Sequence, residues 1–107
     1  MPFYLAQASY SSQATGAMIK NPQDRAAALR PIVERMGGKL HGLWLTLGEY
    51  DVVAIAELPD NVSAAALSMA VGSSGAISAY RTTPLLTVAD ATEAMKKAGG
   101  VGYKPPK

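Results

Sequence analysis

The residues best able to do chemistry cluster at one short block, Gly48-Glu49-Tyr50-Asp51. Asp51 sits between two apolar runs, Leu43 to Leu47 and Val52 to Ala56, where a carboxylate can serve as a general base. The same carboxylate, one residue beyond a turn, can instead accept hydrogen bonds from Thr46 or backbone amides and pin a hairpin, and this structural role is preferred. The Tyr50 phenol can orient a substrate at the mouth of a cavity, or bury its ring and bond a neighbouring loop. Trp44, Tyr10, Tyr4, Tyr80 and Met69 can line an aromatic cavity, although core packing uses the same residue types. The candidate ligand-binding set is therefore Tyr10, Trp44, Tyr50 and Asp51. No residue is assigned a catalytic role, because no nucleophile–base pair can be composed.

Metal and cofactor chemistry has little to work with. The chain has no cysteine and a single histidine, His41, so no set of ligands converges. An isolated histidine can ligate haem iron, but nothing resembling a haem motif surrounds His41, which is read as a partly exposed residue near a strand end. Pro2 precedes a strand, as the amine base of some tautomerases does, yet Met1 stands before it. We expect neither a metal nor a cofactor.

These groups must be positioned by one small domain. A chain of 107 residues, 49% hydrophobic and 17% charged, is long enough for one core. The net charge of +2 is spread over scattered bases, which argues against nucleic acid as a partner. No secretory signal is visible, and a cytoplasmic location is the default. Residues 61–80 carry no charged side chain, but five serines and two glycines interrupt them, so the expectation is an oligomer contact rather than a membrane segment.

Phe3 to Tyr10 is predicted as a strand, and Ser11 to Lys20 as an irregular connection or lid. Asn21-Pro22-Gln23-Asp24 opens a helix that Gly37-Gly38 ends, with a kink or break expected at Pro31. Lys39–Leu47 and Tyr50–Leu58 form a hairpin through a two-residue type II′ turn at Gly48-Glu49. A helix from Asn61, a strand over Ala76–Leu86 and a helix capped at Thr87 complete an α+β, βαββαβ ferredoxin-like plait with an extra C-terminal helix. The domain spans residues 1–98, with 99–107 an extended tail.

That turn sets two sheet faces. One carries His41, Leu43, Leu45, Leu47, Tyr50 and the small residues Val52, Ala54 and Ala56, and suits packed helices. The other carries Leu40, Trp44, Thr46, Asp51, Val53, Ile55 and Glu57. A plait has helices on one side only, so Trp44, Val53 and Ile55 would face water unless a second copy covers them. We expect a homodimer or higher homo-oligomer, and no membrane partner.

Gly48, Tyr50 and Asp51, with Glu49 at the variable position, resemble the Gly-x-Tyr-Asp segment for which the GYD domain family is named. Phe3-Tyr4-Leu5 leading to Tyr10, the Gly37-Gly38-Lys39 turn and Arg81 to Thr87 are similar too. The resemblance covers about residues 3 to 98. It implies a ferredoxin-like, dimeric α/β-barrel architecture, shared with small monooxygenases, muconolactone isomerase-like enzymes and haem-degrading proteins. The functional expectation is small-ligand binding or assembly. The alternative is a cofactor-independent isomerase or monooxygenase of a small aromatic or lactone metabolite, with Asp51 as base.

Overall fold

A computed structural model describes residues 1–107. The elements are β1 (Phe3–Tyr10), α1 (Ser12–Lys20), α2 (Arg25–Arg35), β2 (Lys39–Leu45), β3 (Val52–Glu57), α3 (Asn61–Gly72), β4 (Ile77–Leu85) and α4 (Val88–Gly99). All strand pairs are antiparallel, in the order β2-β3-β1-β4. This is the α+β plait expected, with one additional helix.

That helix is α1, where an irregular connection was predicted. Ser11 supplies its N-cap, with Oγ accepting the Ala14 N–H at 3.1 Å, and Lys20 lies in the last turn. The next cap is Asp24 rather than Asn21: its Oδ1 accepts the Ala27 N–H at 3.1 Å, which makes Arg25 the first residue of α2. The helix then runs unbroken through Pro31. Asp60 caps α3, and its hydrogen bond from the Ser63 N–H (2.8 Å) holds its carboxyl below the usual carboxylate range. Thr87 caps α4 as expected, accepting from the Asp90 N–H at 3.1 Å.

Two hairpin expectations need correction. Gly48 lacks the positive φ that a type II′ turn demands, and residues 46–51 form a longer connection closed by Thr46 N–H donating to the Asp51 carbonyl (2.8 Å). The pairing of Trp44 with Val53 stands as predicted. Beyond it a β-bulge intervenes: Leu40 pairs with Ala56 but Gly42 with Ile55, so His41 is an extra residue. The bulge reverses side-chain parity. Leu40 therefore enters the core beside Ala54 and Ala56, while His41 turns to the opposite face. There its ring stacks on Phe3, with centroids 5.1 Å apart, and its Nε2 lies 2.7 Å from Glu57 Oε1.

The core lies between the sheet and helices α2 and α3, built on Tyr4, Val33, Leu40, Leu58, Ala64 and Leu67. Only 10 of 107 residues are buried, a thin core for this length. The far side of the sheet has no helical cover: Leu5, Val53 and Ile55 are half-buried and Trp44 is 53% exposed. The indole lies along its own strand, over Gly42. Leu45 and Leu47, assigned to the helix-packed face, are exposed, Leu45 at the last position of β2 and Leu47 in the connection beyond it. Helix α4 buries no residue, which helps explain a radius of gyration of 17.2 Å against the roughly 13 Å of a compact chain this long.

Candidate functional site

Small residues on the helix-facing side of the sheet leave space under the helices. Ala6 and Ala8 on β1 and Ala54 on β3 form the floor of a cavity of about 310 Å3. Ala28, Leu29 and Ile32 of α2 make one wall; Leu67, Ala70 and Val71 of α3 make the other. A Leu at any floor position would close much of this volume, so the alanines are its cause. An apolar cavity of about 150 Å3 already admits benzene, and this one has about twice that room. It is a groove about half open to solvent, with Ala28 and Ile32 of α2 and Ala70 of α3 exposed along its rim.

Of its 17 lining residues 15 are hydrophobic, and Arg25 is the one charged group among them. Tyr80 and Tyr10 add phenols to the wall. The uncharged stretch 61–80 supplies the α3 wall and, beyond it, Ala76 and the β4 residues Ile77 and Tyr80. A charged side chain on that wall would face the apolar void, which accounts for part of the missing charge.

Tyr10 and Arg25 also border a second, wider cleft of about 580 Å3 beneath α1, with Met18, Leu45, Thr46 and Asp51. The two residues thus stand at the junction of both spaces. Burial raises the Tyr10 pKa above its ordinary 10.0; the adjacent Arg25 charge and hydrogen bond oppose the rise, and Asp51 adds to it. The phenol is a neutral donor at physiological pH.

Asp51 determines where Tyr10 sits. Its Oδ2 accepts the Tyr10 backbone N–H at 2.9 Å, and its own N–H donates to the Ala8 carbonyl at 2.9 Å. Ser9 Oγ donates to the Glu49 carbonyl (3.1 Å) from the same strand end. The Gly-x-Tyr-Asp segment is therefore a clamp that fastens the end of β1 to the β2–β3 connection.

Of the four candidate residues, the fold brings Tyr10 and Asp51 together and separates the others. Trp44 lies on the opposite face of the sheet, and Tyr50 is a half-buried residue of the connection that lines neither space. Of the wider aromatic set, Tyr80 reaches the cavity. Tyr4 is in the core with its hydroxyl donating to Asn61 Oδ1 (2.7 Å), and Met69 is exposed. Arg25 was missed. Its signal was the Asp24 cap, which starts α2 at Arg25 and turns this residue to the cavity mouth. No group of three or more His, Cys, Asp or Glu side chains is placed to hold a metal ion, and no helix is long and apolar enough to cross a membrane.

Fold and site together define a ferredoxin-like α+β protein with an apolar pocket under its helices. The GYD domain family matches residues 4–95, and the chain belongs to that family. No curated protein and no solved structure matches it.

Proposed function

We propose that this GYD-domain protein is a cytoplasmic small-ligand-binding protein that works as a homodimer or higher homo-oligomer. The observation that carries the reading is the cavity of about 310 Å3, apolar on floor and walls and polar at one corner. A ring-sized apolar body fits the void, and Arg25 and Tyr10 fix its orientation. Pairing is supported by the uncovered sheet face around Trp44, Val53 and Ile55, and by the unburied α4.

Native mass spectrometry of freshly purified protein tests both parts. The expected species has twice the 11.1 kDa chain mass, or a higher multiple, and carries a small molecule. The Ala6→Leu chain, whose added side chain rises from the floor into the cavity, assembles alike but is empty. A bare 11.1 kDa species from the unaltered chain would contradict the proposal.

One observation favours the enzymatic alternative, a cofactor-independent isomerase or monooxygenase. The Asp51 carboxylate and the neutral Tyr10 phenol share the wall of the wider cleft, a base beside a proton donor. Against it, Asp51 already holds the Tyr10 amide, and it lies outside the apolar cavity. Binding is the better-supported role.

A further inference from the structure

Resting on the ligand-binding reading, the geometry points to a specific ligand class: we infer that the cavity takes a flat, one- or two-ring monocarboxylate, with its carboxylate on Arg25 and the Tyr10 hydroxyl. Arg25 is the cavity's one charged lining residue, and it is a cation with no carboxylate partner. The chain's one ion pair is His41–Glu57, on the other side of the sheet. The Arg25 guanidinium spends one Nη1–H on Gln23 Oε1 at 2.7 Å, which braces the side chain and leaves further donors. A guanidinium presents its donors in a plane that matches a carboxylate, and it stays charged at any relevant pH. Tyr10 adds a hydroxyl that remains protonated, so it donates to an anion rather than repelling it.

The acidic groups nearby set the direction of binding. Asp24 and Asp51 line the wider cleft and not the apolar cavity. Each already accepts a backbone N–H, from Ala27 (3.1 Å) and Tyr10 (2.9 Å) respectively. They disfavour an anion in the wider cleft. A ligand's charge is thereby confined to the cavity side of Arg25, with its rings over Ala6, Ala8 and Ala54. A cation would find no partner inside the cavity.

Calorimetric titration with three probes of one shape tests this: 2-naphthoate, 2-naphthamide and 2-naphthylmethylamine. The expected result is tighter binding of the naphthoate than of the amide, by about tenfold or more, in keeping with a charge-assisted bidentate pair. Arg25→Met keeps the apolar stem on an exposed helix start and should lose most of the preference, binding the naphthoate to within a few-fold of the amide. Tyr10→Phe should reduce the preference several-fold without erasing it. Equal binding of naphthoate and amide by the unaltered chain would overturn the carboxylate assignment and leave the cavity reading standing. Preference for the amine would also overturn it, placing Asp24 and Asp51 in control of the mouth. Binding of none of the three would remove the cavity reading as well.

Discussion

Asp51 Oδ2 holds the backbone N–H of Tyr10 at 2.9 Å, across 41 residues of sequence. This bond joins the end of β1 to the start of β3, at the point where β1 hands over to α1. Tyr10 borders both the apolar cavity and the wider cleft, so the clamp acts on the site without its carboxylate entering the cavity.

Asp51→Ala should therefore cost stability and site geometry together. An amide left without its charged acceptor loses about 2 kcal/mol, whereas Asp51→Asn retains a carbonyl acceptor and loses about half as much. Urea denaturation gives the two values. An Asp51→Ala chain as stable as the unaltered one would show that the clamp contributes nothing.

Two glycines should respond unequally to the same change. A Cβ on Gly42 would meet the end of the Trp44 indole, 2.8 Å from Cζ2, and that ring can swing away. A Cβ on Gly38 would collide with the Glu57 backbone carbonyl and lie 2.9 Å from Leu58 Cδ2, neither free to retreat. Gly38→Ala should destabilise by about 3 kcal/mol, as overpacking does, and Gly42→Ala by less than about 1 kcal/mol with a shifted Trp44 fluorescence spectrum. Equal losses from both would contradict the distinction.

A charge on the uncovered sheet face should break the assembly without unfolding the chain. Ile55→Glu places a carboxylate beside Trp44 and Val53, where a paired face would have to desolvate it. Light scattering should move from the multiple to the single 11.1 kDa chain, with unchanged circular dichroism. An unaltered mass would exclude this face as the contact.

Alkaline pH should weaken the fold through Tyr10. Its folded pKa is raised above 10.0, so between that value and the higher folded one the folded chain holds a proton that the unfolded chain has released. The associated stability is complete below pH 10 and is lost as pH rises through the folded pKa. In melting curves above pH 10 the unaltered chain should fall more steeply than Tyr10→Phe, and parallel curves would refute the assignment.

Much of the plait was legible because local signals agreed with it. Apolar runs bounded by Gly and Pro marked the strands, and Thr87 and Gly37-Gly38 marked helix ends. His41 was placed on the wrong face because alternation was carried through a bulge, although an isolated Gly42 within a strand is the usual sign of one. α1 was hidden by Gly16 and Thr15, poor helix formers, despite the Ser11 cap. Of the cavity only Tyr10 and Tyr80, named for an aromatic cavity, were legible; its floor was not. It arises from alanines on separate strands facing one another, a property of register that the run of residues does not display. Trp44, chosen for its ring, failed as a cavity residue for the same reason that it succeeded as a surface one: it alternates to the bare side.

The claim that the space under α2 and α3 is the ligand site is tested most directly by mapping 2-naphthoate on the 15N-labelled protein by NMR. The predicted result is saturable shifts at Ala8, Ala54, Ala70 and Ile77, absent in Ala6→Leu, with the Trp44 indole signal unmoved. Shifts centred on Trp44 and Val53, or none at saturating probe, would contradict it.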